Sequence, residues 1–132
     1  MRAVPPGTKG KYSAIVQPEH LANRFKDAIL PPVLATPVML LFMENAALNA
    51  LRPYLEPGES VVGTGVNIRH LAATPAGQQV IAEATVTKVD GRHIAFEISA
   101  RDESQEIGAG THERMLIDLD RFERRLAAKR SV

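Results

Sequence analysis

The sequence predicts an α+β fold, an antiparallel sheet wrapped around one central apolar helix, with a short C-terminal helix closing the chain. Three observations carry this. First, Val38–Met43 is apolar around its whole circumference, whereas an ordinary surface helix shows a single apolar stripe; such a helix asks for burial on most sides. Second, from Ser60 onward the period of apolar residues changes from helical to two. Third, the 132 residues contain no internal repeat and no low-complexity stretch, and that length fits a single domain over 1–132.

The elements follow in order. Lys11–Gln17 alternates weakly, with Tyr12, Ala14 and Val16 on one side, and reads as a first strand. His20–Leu34 is irregular, because Pro31 and Pro32 stop any helix started by Leu21–Ile29. Thr36-Pro37 is a good helix start, with threonine as N-cap and proline at the first helical position, where its missing N–H costs nothing. The helix runs to about Arg52; Pro53 ends it, and Glu56–Glu59 makes the turn. Next comes a strand in which Val62, Thr64, Val66, Ile68 and His70 share one face, and later one in which Ile94, Phe96, Ile98 and Ala100 do. Val80–Val89 and Glu106–Leu119 are two more strands. Asp90-Gly91 suits a type I′ hairpin, and Ala72–Gly77 is the remaining connection. Asp120–Lys129 is an amphipathic helix with Phe122 and Leu126 on one side. Four antiparallel strands following one very apolar helix describe the hot-dog fold.

Composition narrows the function. The chain is 45% apolar and 23% charged, enough for a core and too evenly balanced for disorder. Sixteen basic against fifteen acidic residues, a net charge of +1, argue against a nucleic-acid binder driven by electrostatics. With no cysteine there is no disulfide framework, thiolate nucleophile or Cys-ligated zinc. Met1–Gly10 is polar and holds no signal-peptide stretch, and Pro37–Met43 is far short of the ~20 residues that cross a bilayer. The expectation is a soluble, cytoplasmic protein without membrane or nucleic-acid partners.

Glu44 is the most informative residue. At 100° per residue Leu40, Leu48 and Leu51 lie within ~40° of it on the helical wheel, while Asn45, Asn49 and Arg52 cluster ~80–140° away. A carboxylate on an apolar face costs several kcal/mol if buried unpaired. It is either a structural carboxylate paired to an arginine or to backbone N–H groups, or a catalytic base or nucleophile with a raised pKa. His70 ends a strand on the face of Val66 and Ile68. Gly63 and Gly65 weaken that strand, which marks either a bulge or a close approach by a ligand or another backbone. His112 and Arg114 alternate away from Glu113. No HExxH, GxSxG, Walker or dinucleotide motif is present, so no metal or nucleotide cofactor is expected. Arg121, Arg124, Arg125, Lys129 and Arg130 form a solvated helix face, or help to hold an anion such as coenzyme A phosphates.

Several motifs fall together in one order: Thr36-x7-Glu44, Arg52-Pro53-Tyr54-Leu55-Glu56-Pro57-Gly58-Glu59, Gly63-Thr64 leading to His70, Ala72-Ala73-Thr74-Pro75, and Glu106-Ile107-Gly108-x-Gly110-Thr111-His112-Glu113-Arg114. From about Ala35 to the C-terminal helix the chain closely resembles the fluoroacetyl-CoA thioesterase family of hot-dog proteins. The resemblance implies an acyl-CoA thioester hydrolase that works as a homodimer, possibly a tetramer, with active sites at the subunit interface and coenzyme A present only as part of the substrate. It carries the catalytic threonine, glutamate and histidine onto Thr36, Glu44 and His70, and the glycine near the thioester carbonyl onto Gly63. Arg114 lies in the matching Thr-His-Glu-Arg segment and is expected to pair or position at the substrate site.

The chemistry is consistent. A carboxylate in an apolar pocket can attack a thioester or activate water, an imidazole moves protons near neutral pH, and N–H donors at a strand glycine and a helix N-terminus stabilise an oxyanion. Eight residues at 1.5 Å per residue, however, separate Thr36 and Glu44 by ~12 Å along a helix axis. Either the helix begins later or bends, or the substrate bridges them, or they serve one site from different subunits. The chain also departs from the family. The fluoroacetyl-CoA enzyme carries lid phenylalanines before the helix, whereas Asp27–Leu34 has no aromatic residue; aliphatic Ile29, Leu30 and Leu34 take their place, with Leu30 expected at the acyl group. The expected substrate is a small or medium acyl-CoA. The alternatives are a non-catalytic acyl-CoA-binding module and, last, a hydratase, whose aspartate–histidine pair within one loop is not visible.

Overall fold

The computed structural model describes residues 1–131. Five strands, β1 (Lys9–Ile15), β2 (Glu59–His70), β3 (Gln79–Asp90), β4 (His93–Arg101) and β5 (Glu106–Asp118), form one antiparallel sheet in the order β1-β3-β4-β5-β2. The helices are α1 (Ala22–Phe25), α2 (Thr36–Leu51) and α3 (Leu119–Arg130). Alternation decides which face of the sheet the long helix covers. Val80, Ala82, Ala84 and Val86 on β3, and Ile94, Phe96, Ile98 and Ala100 on β4, are buried, while the residues between them are not. Helix α2 lies across this face and buries Met39, Met43, Ala46, Ala47, Ala50 and Leu51 against it. At Gly10 a Cβ would collide with the backbone of Ala46 and Ala50, so β1 and α2 meet there main chain to main chain.

Several expectations shift. The first strand is Lys9–Ile15 rather than Lys11–Gln17; the alternation is kept, with Gly10 buried and Tyr12 and Ala14 half-buried. Only Ala22–Phe25 of the Leu21–Ile29 stretch is helical. It ends before Pro31 is reached, where the Asp27 carboxylate accepts from the Ile29 N–H at 3.0 Å and forms a turn of its own. The N-cap of α2 is Ala35, not Thr36, which is its first residue. In the β3–β4 loop only Gly91 has positive φ (+59°) and Arg92 does not, so the turn follows the type II′ pattern instead of I′. Helix α3 starts at Leu119, capped by Asp118, whose carboxylate accepts from the Arg121 N–H at 3.0 Å.

Two features of β2 matter for the site. Its register against β5 jumps between Gly63 and Gly65, leaving Thr64 bulged. The single face expected for Val62, Thr64, Val66, Ile68 and His70 therefore holds only beyond the bulge, where Val66, Ile68 and His70 stand opposite His112, Gly110 and Gly108. Before the bulge, Val61 and Gly63 take the inner positions, opposite Leu116 and Arg114. As the last strand of the sheet, β2 also presents an unpaired twelve-residue edge. On α2, Val38, Met39, Phe42 and Met43 are buried as expected, but Leu41 is 49% exposed. No helix among the described residues is long and apolar enough to cross a membrane.

Candidate active site

The residues singled out from sequence gather in two clusters. The first lies at the N-terminus of α2. Because Ala35 takes the cap position, the Thr36 hydroxyl is free to turn outward, and Thr36 Oγ1 and His70 Nδ1 share a hydrogen bond of 2.7 Å. Burial holds the His70 imidazole below the usual histidine range, with the Ala72 backbone pulling the other way. The imidazole is therefore neutral near pH 7, as a proton acceptor must be.

This pair opens into a cleft of about 500 Å³ whose walls include Lys26, Leu30, Val33 and Leu34 from the segment before α2, and Leu71 and Ala72 beyond His70. Leu30 is thus brought beside Thr36, whereas Ile29 is 88% exposed and stands outside the cleft. The cleft is pinned from behind by Thr74, which is fully buried. Its carbonyl accepts from the Leu34 N–H at 2.8 Å, and its hydroxyl donates to Asp102 Oδ2 at 2.9 Å. Asp102 belongs to the β4–β5 turn and also accepts from the Ser104 and Gln105 N–H groups. Burial opposes its charge, but these hydrogen bonds win and hold its carboxyl below the usual range.

The second cluster sits on the third turn of α2 and the sheet beneath it. Arg114 is buried; its Nη2 donates to the Glu44 carbonyl at 3.1 Å and lies 3.9 Å from Glu44 Oε2. The structural pairing to an arginine envisaged for Glu44 is therefore real, yet the glutamate side chain keeps 36% of its surface open. A carboxylate that is paired on one side and open on the other can still reach a ligand. Gly63 completes the cluster. A Cβ built there would lie 3.4 Å from Glu44 Oε2 and 3.5 Å from His112 Cε1, so the bare glycine backbone leaves a small space between the two side chains.

His112, noted in the sequence as alternating with Arg114 away from Glu113, is given no role there. It is 2% exposed, stacked on Phe96 with ring centroids 5.8 Å apart, and its Nδ1 lies 2.8 Å from the Gly65 carbonyl. A carbonyl can only accept, so Nδ1 carries the hydrogen. Burial is the main cause that holds this imidazole below the usual range as well. The alternation that puts His112 and Arg114 on one face was the available signal; the bulge that aims the Gly65 carbonyl at His112 was not visible.

No hydrogen bond or ion pair among the described residues joins the two clusters. Helix α2 begins at Thr36 and runs unbroken to Leu51, so of the explanations for the ~12 Å separation along its axis, a late start is excluded. A bend, a bridging substrate and a second subunit remain.

The chain matches the family model described as fluoroacetyl-CoA-specific thioesterase over residues 16–120. It is 44% identical over 102 residues to the fluoroacetyl-CoA thioesterase of Streptantibioticus cattleyicolor, an alignment that covers 77% of this chain and 73% of that one. The crystal structure of the fluoroacetyl-CoA thioesterase FlK superposes with a TM-score of 0.91 at 36% identity, covering 96% of this chain and 98% of the other. A thioesterase superfamily member from Thermus thermophilus superposes equally well, at 0.91 and 32% identity, over 99% and 98% of the two chains. A curled five-stranded sheet around a central helix, together with these matches, places the chain in the fluoroacetyl-CoA-specific thioesterase family of hot-dog acyl-CoA thioester hydrolases.

Proposed function

We propose that this protein hydrolyses small or medium acyl-CoA thioesters at a site assembled from two copies of the chain, each acting as one thioesterase domain. One copy supplies Thr36 and His70, the other Glu44, Gly63 and Arg114. The observation that carries this reading is the separation just described: two half-sites along one unbroken helix, each open on one side. Two further features favour a homodimer. The β2 edge is unpaired beside Gly63, and Leu41 is exposed on the same turn of α2 as the buried core residues. A second copy that covers both would bring its own Glu44 towards the Thr36 end of the first.

In the reaction, Glu44 takes a proton from the attacking water, with Arg114 Nη2 facing its carboxylate at 3.9 Å. The Thr36 hydroxyl, oriented by His70, and the N-terminal end of α2 face the charge that develops on the thioester oxygen. Leu30 and Leu34 line the acyl side of the cleft, and Gly63 leaves room for the carbonyl. No cofactor takes part beyond the coenzyme A of the substrate. The cytoplasm is the proposed compartment, because CoA esters are held there.

Free-thiol release from a panel of acetyl-, butyryl-, hexanoyl- and fluoroacetyl-CoA tests the reading. Turnover of at least one of them at about 1 s⁻¹ or more is expected. Saturable binding of all four without thiol release would favour a binding module instead.

A further inference from the structure

The mechanism above uses none of the basic residues of α3, and the structure separates them into two sets. Arg121 and Arg125, one helical turn apart, line a groove of about 310 Å³ together with Arg92 from the β3–β4 turn. Arg124, Lys129 and Arg130 are not among its walls. The groove lies at the rim of the sheet, where β5 passes into α3. There the Arg92 carbonyl accepts from the Leu116 N–H at 2.8 Å, which fixes the turn against the end of the strand. Met115, Ile117 and Phe122 also line the groove; Ile117 is buried and the other two are half-buried.

Like charges gathered around one concavity oppose each other, so the arrangement calls for a counter-charge. The protein does not supply it. Among the described residues none of the three guanidinium groups makes an ion pair or a side-chain hydrogen bond. Asp118 is the one acidic wall residue, and its carboxylate is engaged by the Arg121 N–H as the cap of α3. Glu59, paired with Asp118 across the strands, is held by the N-terminal ammonium at 2.6 Å. Guanidinium forks match phosphate oxygens, while apolar and phenyl side chains accept the face of a base. A phosphorylated nucleotide has both parts.

Position says which nucleotide. Arg114, which faces Glu44, and the groove residues Met115–Asp118 are consecutive on β5. At about 3.4 Å per residue, the groove begins one residue beyond the Glu44 half-site and ends ~14 Å along the strand from Arg114. An extended pantetheine arm spans that distance between a thioester and the nucleotide of coenzyme A. We infer that the groove of Arg92, Arg121 and Arg125 binds the phosphorylated adenosine end of the acyl-CoA substrate. The guanidinium groups take the phosphates, and Phe122 stands beside the adenine. This rests on the acyl-CoA thioesterase reading given above. It assigns the hold on a part of the substrate that is remote from the bond being broken, and such contacts act on KM.

The test compares butyryl-CoA with butyryl-pantetheine, which carries the same thioester without the nucleotide. Helix α3 buries no residue, so Arg121→Gln and Arg125→Gln together leave the fold intact. In that full-length double variant the ratio of kcat/KM for butyryl-CoA over butyryl-pantetheine should fall by about tenfold or more, through KM. Arg124→Gln removes a like charge from the same helix outside the groove, and should change the ratio by less than about twofold. Adenosine bisphosphate, the free nucleotide portion of coenzyme A, gives a readout that needs no turnover. Titration calorimetry should show it binding wild type at least about tenfold more tightly than the double variant. It should also compete with butyryl-CoA. A ratio within about twofold of wild type in the double variant, or an equal loss in Arg124→Gln, would overturn the inference. So would bisphosphate binding that leaves butyryl-CoA hydrolysis unaffected, which marks a site for a free nucleotide instead. Should no acyl-CoA release thiol while only wild type binds the bisphosphate, the hydrolase reading falls and the groove stands. Should thiol release proceed with the ratio unmoved, the groove falls and the hydrolase reading stands.

Discussion

The Thr36 hydroxyl is bonded to the His70 imidazole, 2.7 Å away, rather than to the backbone of its own helix. Threonine before proline at a helix start ordinarily caps; here Ala35 holds that position with no side-chain bond, and the hydroxyl is spent on a partner 34 residues away. Stability and activity therefore separate at this position. Thr36→Val keeps the shape and should cost less than about 1 kcal/mol, since only one exposed hydrogen bond is lost. Thioester hydrolysis should drop by about 10²-fold, and Thr36→Ser should recover most of it. Calorimetry and thiol release on the same preparations check both halves.

Gly63→Ala probes the space between Glu44 and His112. The added methyl would meet side chains at 3.4 and 3.5 Å, which is ordinary contact, and Gly63 is not among the residues with positive φ. The variant should fold with a melting temperature within about 2 °C of wild type. It should nevertheless lose about tenfold or more in kcat/KM, because the methyl occupies the room the carbonyl and water need. Unchanged kinetics would mean that the substrate does not enter this face.

Acid should destabilise the protein earlier than its carboxylates alone would require. Burial lowers both His70 and His112 below the ordinary histidine value of 6.5. Above that value folded and unfolded chains are both neutral at these sites. As pH falls through it, the unfolded chain takes up protons that the folded chain refuses, so stability is lost on the acid side. Melting temperature should thus be flat from pH 8 to 7 and fall between pH 6.5 and 5. His112→Phe should flatten part of that slope. A slope unchanged in both His112→Phe and His70→Ala would show that other groups carry it.

Selectivity should differ from that of an enzyme that prefers fluoroacetyl-CoA. The cleft beside Thr36 and His70 is walled by Leu30, Val33 and Leu34, with no phenylalanine, tyrosine or tryptophan among its lining residues. Aliphatic walls distinguish acyl groups by size and only weakly by a single fluorine; a methylene there is worth about 1–3 kcal/mol. The ratio of kcat/KM for fluoroacetyl- over acetyl-CoA should lie below about tenfold, with butyryl-CoA accepted. A preference of several orders of magnitude for fluoroacetyl would contradict this account.

Much of the architecture was legible because it rests on local periodicity. The alternation of β3 and β4, the apolar run of α2 and the Gly91 turn are properties of short windows, and they appear where they were expected. What could not be read depends on contacts across the chain. The bulge at Thr64 arises from pairing β2 with β5, and it alone decides that Gly63 rather than Thr64 shares the face of His112 and Arg114. The bond between Thr74 and Asp102 joins two turns 28 residues apart and leaves no pattern in either. Glu44 stood out because a carboxylate breaks an apolar face. His112 did not, because a histidine in an alternating strand breaks nothing until its buried Nε2 is seen.

Mixing two inactive variants tests the central claim, a thioesterase site shared between two chains, most directly. Thr36→Ala and Glu44→Gln are each expected to be inactive alone. Co-expressed and purified together without fractionation, a random mixture is half heterodimer, and each heterodimer holds one doubly defective site and one intact one. Activity should return to about a quarter of wild type. If Thr36 and Glu44 serve the same site from a single chain, every site in the mixture carries a defect, and no recovery above either parent would contradict the shared-site account.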